Sequence, residues 1–161
     1  MAPSAIRQRI YENYATTGVS PLLYVPDASV AIKWFLREEH SESSRVLLSR
    51  VLGRLDRAVA PDLLRLEIAH VLRKKTHSGL DIAEALEAWK DLNVVPIEWV
   101  PVQPLLDTVL IEALARKVSV YDMTYLDVAR RHKAVVVTAD EGLAANGARE
   151  NLAIHVRDYH P

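Results

Sequence analysis

The sequence predicts a layered α/β fold around a mostly parallel sheet, and two observations carry this. Short apolar segments alternate with longer amphipathic ones along the chain, the pattern of repeated strand–helix units. One apolar segment, AVVVT at 134–138, is continuous rather than alternating, the type of strand buried on both faces. The 161 residues suit one domain, and with half of them apolar a sizeable core can form.

The elements follow in order. Residues 1–21 read as a polar N-terminal extension closed by Gly18 and Pro21, with a short amphipathic helix around Ile6 to Tyr14, and the main domain as 22–161. Leu22 to Val25 form a first strand, and SVAIKWFLREE a helix with Val30, Ala31, Trp34 and Phe35 on one side. Ser41 opens a second helical run through Val46, Leu47, Val51, Leu52 and Leu55; RAVAPD is a strand stopped by Pro61. HSGLD divides two helices over 62–77 and 81–92. NVVPIEWV is extended, and 104–118 is a helix with Leu105, Leu106, Val109, Leu110, Ala113 and Leu114 along one face, either core or a dimer contact. Ser119 starts a helix to His132; AVVVT and AIHV at 153–156 complete the strands.

Composition narrows the function. The chain has no cysteine, which excludes disulfides, thiolate metal sites and cysteine nucleophiles. It has no apolar run long enough to span a membrane and no secretory leader pattern, so a cytoplasmic location is expected. Neither G-x-G-x-x-G nor a P-loop occurs. The net charge of −1 means that any nucleic acid must be met by a local basic patch or through metal ions. Arg73, Lys74 and Lys75 form one basic run, and Arg130, Arg131 and Lys133 another; both also read as solvated helix ends.

Four acids sit against the local pattern. Asp27 follows the first strand and Asp140 follows AVVVT. Each reads as a helix cap or turn acid. Both also lie at carboxyl ends of strands, where open α/β sheets hold their ligands. Asp122 is more telling. With 121–132 wound as a helix, Ala129 falls about 20° and Leu126 about 40° from it, in mid-apolar arc. A carboxylate there costs several kcal/mol unless paired, hydrogen-bonded or metal-bound; Ser119-x-x-Asp122 also reads as a capping box. Glu67 lies about 40° from both Leu63 and Val71, bordering an apolar face. Asp127 falls about 140° from Asp122, beside Arg131, and reads as solvated or at most a support to the site. Were the four to converge, repulsion would raise their pKa values. A hard divalent cation removes that penalty: all-oxygen ligands suit Mg²⁺ or Mn²⁺, which serve phosphate chemistry.

The segments VPDASV, PDLLRLEIAHVL, SVYDMTYLDVA and VVVTAD together resemble PIN domains, and more closely the VapC-type ribonuclease toxins of type II toxin–antitoxin pairs, from about Tyr24 to the C-terminus. The resemblance implies a three-layer α/β/α fold and an Mg²⁺- or Mn²⁺-dependent endoribonuclease. Asp27, Asp122 and Asp140 would hold metal, and Glu67 would ligate through water or orient the attacking water. Ser29 and Thr138 would be hydroxyls that hold the carboxylates, with Tyr121 beside Asp122. The implied partners are an RNA substrate, an inhibitory antitoxin protein and a second copy in a homodimer.

Two rival readings stand beside this one. A non-catalytic module of the same fold would bind RNA or protein without hydrolysis. Glu67-x-x-His70 suggests a carboxylate-bridged oxidase, but that site needs two such motifs on a helix bundle, and His70 reads better as a partly buried structural histidine. Trp34, Trp89 and Trp99 could stack bases, though core packing suits them.

Overall fold

The computed structural model describes residues 21–160, so the helix expected around Ile6 to Tyr14 lies outside the described residues. Five strands form one sheet: β1 (Leu23–Pro26), β2 (Arg57–Pro61), β3 (Ile97–Val100), β4 (Val135–Thr138) and β5 (Ala153–His155). Every pairing is parallel, in the order β3-β2-β1-β4-β5. Seven helices flank it: α1 (Ala28–Ala31), α2 (Ser41–Leu52), α3 (Leu63–His77), α4 (Ile82–Val94), α5 (Leu106–Arg116), α6 (Val120–His132) and α7 (Glu141–Ala148). The result is a three-layer α/β/α architecture.

Parallel strands joined by helices must be apolar on both faces, and Val25, Val59, Val136 and Val137 are fully buried. Helix α6 packs across β2, β1 and β4. This places Met123, Leu126, Val128 and Ala129 in the core, with Leu126 and Ala129 the pair that the apolar arc predicts. No helix among the described residues is long and apolar enough to cross a membrane.

Three expectations are corrected. The helix after the first strand is only α1, followed by a 3-10 turn at Ile32–Trp34. The apolar face of α5 is split: Leu105, Val109 and Ala113 are buried, whereas Leu106, Leu110 and Leu114 face out. Helix α7 was not expected, since Gly142 and Gly147 both lower helix propensity. Gly147 is there for space. A Cβ at that position would stand 2.3 Å from Ala153 Cβ, so only glycine lets α7 approach β5 this closely.

The strand order reverses direction at β1. The chain proceeds from β1 outward to β2 and β3, then returns to add β4 and β5 on the other side. Connections leaving β1 and β4 therefore diverge, opening a crevice at their carboxyl ends.

Candidate metal-dependent catalytic centre

Asp27 stands directly after β1, and its backbone N–H extends the ladder by donating to Val137 O at 3.3 Å. One carboxylate oxygen caps α1, accepting from Val30 N at 3.0 Å and Ser29 Oγ at 2.7 Å. The other accepts from Thr138 Oγ1 at 2.7 Å. Thr138 and Ser29 then serve the neighbouring segment. Asp140 N donates to Thr138 Oγ1 at 2.9 Å, and Ala139 N to Ser29 Oγ at 2.8 Å. These two hydroxyls lock the end of β1 to the end of β4. Asp140 caps α7 through Leu143 N at 2.8 Å and is otherwise exposed.

Both bland readings of Asp27 and Asp140 as caps are therefore true, and both acids also stand at the crevice. The same holds for Asp122. Its N–H donates to Ser119 Oγ at 3.0 Å, one half of the expected capping box, while the carboxylate is half-buried. Glu67, on α3, accepts from the Tyr125 hydroxyl.

The four acids act on one another in series. Burial pushes Asp27 up to about 6, with the nearby Glu67 adding to the rise against the hydrogen bonds from Thr138, Ser29 and Val30. Glu67 is raised by burial and then by Asp122, and Asp122 by burial and then by Asp140. The influence thus runs pairwise, Glu67 on Asp27, Asp122 on Glu67 and Asp140 on Asp122. Among the ion pairs of the described residues, none involves Asp27, Glu67, Asp122 or Asp140. Among the described residues no group of three His, Asp or Glu side chains stands ready to hold a metal ion directly. Mg²⁺ needs no such group, because it takes one or two carboxylates and fills its octahedron with water and substrate phosphate. The donor chemistry fits likewise: all oxygen, anionic and without a basic partner.

Tyr125 was not singled out in the sequence. It is 2% exposed, and burial and the adjacent Glu67 push its hydroxyl well above the usual phenol range, so it stays protonated and donates to Glu67. A signal existed: a tyrosine about 60° from Asp122 on a buried arc needs a partner for its hydroxyl.

Other expectations are corrected. Asp127 is not solvated. It is 3% exposed and accepts from Arg131 Nε at 2.6 Å, with Arg130 at 3.9 Å, touching none of the four acids. Here α6 meets α5, whose Glu112 pairs with Arg130, and the side chain of Asp127 is covered beneath its two arginines. His70 is exposed rather than partly buried. The basic runs are partly engaged: Lys75 pairs with Glu38, Arg130 with Glu112 at 2.9 Å and Arg131 with Asp127. Trp34 is core, but Trp99 is half-buried, with the Arg65 guanidinium 4.1 Å from its ring centroid.

With this geometry in hand, a family model described as PIN domain matches residues 24–148. Among solved structures, the crystal structure of PAE2754 from Pyrobaculum aerophilum is similar with a TM-score of 0.63 and 24% identity, over 84% of this chain and 90% of that one. At that identity the likeness bears on the fold alone. A search of curated proteins finds no match.

Proposed function

This chain belongs to the PIN-domain family, generally a nuclease fold, and from that premise we propose that it is a metal-dependent endoribonuclease. The observation that supports this most is the electrostatic series Asp27–Glu67–Asp122–Asp140 at the crevice, with none of the four in an ion pair of the described residues. Elsewhere the same chain pairs its buried or clustered acids with arginine or lysine, as at Asp56, Asp127 and Glu38. Four acids kept together at a cost to folding call for a cationic ligand.

Asp27, Asp122 and Asp140 would hold Mg²⁺ or Mn²⁺. When held by these carboxylates, the ion would make a water more acidic and offset negative charge on the phosphate. The protein's own part is positional. Ser29 and Thr138 fix both oxygens of Asp27 and tie down the backbone of 139 and 140. Tyr125 occupies one oxygen of Glu67 and leaves the other to accept from a water. Glu67, its affinity for a proton raised, is suited to take one from that water.

In this reading the chain is the toxin of a toxin–antitoxin pair, acting in the cytoplasm as a homodimer held in check by an antitoxin protein. The test is cleavage of a structured RNA by the purified chain. Hydrolysis with Mg²⁺ or Mn²⁺, its loss in EDTA and its loss in Asp122→Asn are expected. Equal cleavage by Asp122→Asn and the parent chain rejects the proposal. A folded chain that binds RNA but never cleaves it, at any metal concentration, supports the binding-module alternative.

A further inference from the structure

Asp140 is the most exposed of the four acids. Only Ala139 and Asp140 lie between the end of β4 and the start of α7, so the direction of the Asp140 carboxylate depends on how this short turn is held. On its inner side the hydroxyls of Ser29 and Thr138 take the amides of Ala139 and Asp140. Its outer side is met by the end of β5, which the chemistry above does not use.

His155 closes β5 directly opposite Thr138 in the parallel ladder and is 6% exposed. Its Nδ1 accepts from Arg157 N at 3.1 Å, capping a 3-10 turn at Val156–Asp158. An N–H needs a bare acceptor, so this bond assigns the ring proton to Nε2. Nε2 then donates to Ala139 O at 3.3 Å, with Glu141 Oε1 4.0 Å away and the His40 ring edge-on at 5.4 Å between centroids. Arg157 forks onto Glu141 at 2.7 and 2.9 Å. The C-terminal segment therefore grips the residue before Asp140 and the residue after it. The two grips differ in worth. The Arg157–Glu141 pair is exposed and screened by water. His155 is buried, where a carbonyl left without its donor costs more.

We propose that His155 is a positioning residue for the metal centre, which fixes the Ala139 carbonyl from β5 and with it the direction of the Asp140 carboxylate. The inference rests on the reading in which Asp140 holds the divalent ion. A histidine that only caps the 3-10 turn needs Nδ1 alone; the Nε2 proton is what reaches the site. Two substitutions separate these roles. Asparagine offers an oxygen close to the place of Nδ1 and stops short of Ala139. Glutamine carries an N–H out to the place of Nε2.

The experiment has two readouts on the full chain, both taken well below its melting temperature. The first is Mn²⁺ affinity, followed by the electron paramagnetic resonance signal of the free ion. The second is amide hydrogen exchange over residues 139–143 in chelator, which needs no bound metal. His155→Ala and His155→Asn should each weaken Mn²⁺ binding about 2- to 10-fold, the worth of one hydrogen bond, and should speed exchange at Ala139, Asp140 and Leu143. His155→Gln should stay near the parent in both. Arg50→Ala, at the far edge of the sheet, should lower melting without moving either readout. If His155→Asn binds Mn²⁺ like the parent and keeps its protection at 139–143, His155 is only a cap; the positioning role is rejected while the nuclease reading stands. If His155→Gln is as weak as His155→Ala, the ring and not its N–H carries the effect, and the proposal is rejected. If the parent chain binds no Mn²⁺, the metal-dependent reading falls and takes this role with it.

Discussion

Asp27 and Asp56 are two buried carboxylates at opposite ends of the same parallel sheet. Asp56 precedes β2, is 2% exposed, accepts from Arg50 Nε at 2.6 Å and also caps the free N–H of Leu22 at 3.2 Å. Asp27 follows β1, is 6% exposed and receives only hydroxyl and amide donors, with Glu67 as its charged neighbour. The amino-terminal edge thus neutralises its acid, whereas the carboxyl-terminal edge gathers acids together. A carboxylate that completes the fold has its counter-charge built in. At Asp27 the ion pairs of the described residues supply none.

The largest effect that sharpens the contrast is on activity. Asp27→Asn keeps the capping oxygen but removes the charge, and should lower RNA cleavage by about 10²–10³-fold, measured as turnover in Mn²⁺. Thr138→Val comes next. It removes the hydroxyl that orients Asp27 and receives the Asp140 amide, and should weaken Mn²⁺ affinity about 10- to 100-fold by titration calorimetry.

The third test concerns the opposite edge. Arg50→Ala leaves Asp56 buried without its guanidinium partner and should cost about 1–3 kcal/mol in urea unfolding. This is below the full value for a buried pair because Arg50 itself is 29% exposed. The last effect, of similar size, runs the other way. Asp27 has a folded-state pKa above its unfolded value, so between about pH 4 and 6 the unfolded chain binds fewer protons and stability falls as pH rises. In chelator, Asp27→Asn should therefore be more stable than the parent by about 1–3 kcal/mol at pH 7, and the gap should close toward pH 4. Should Asp27→Asn and Arg50→Ala shift stability with the same sign, the distinction between the two edges is broken.

Much of this was legible in the residues. AVVVT marked a doubly buried strand because the four residues before Thr138 had no polar face to offer water. Asp122 was legible because a carboxylate amid Leu126 and Ala129 contradicts the helical period that surrounds it. Helix α7 was not, because EGLAANGA has weak propensity and its two glycines read as loop; the close packing on Ala153 that requires Gly147 is invisible locally. Asp127 misled for the mirror reason. Its position beside Arg131 looked like a polar face, yet α5 packs on α6 there and the arginines cover Asp127 while Arg131 itself stays exposed.

The sequence by itself determined the strand–helix alternation, the capping acids and the presence of charge where apolar residues belong. Each of these rests on spacing within one element. Only the tertiary structure decided that Asp27 and Asp140 share the Thr138 hydroxyl, that Tyr125 serves Glu67, and that Leu66 and Tyr121 face one cleft. Those contacts join side chains from segments far apart in the chain, and their distances are set by strand order and helix packing, which no local period encodes.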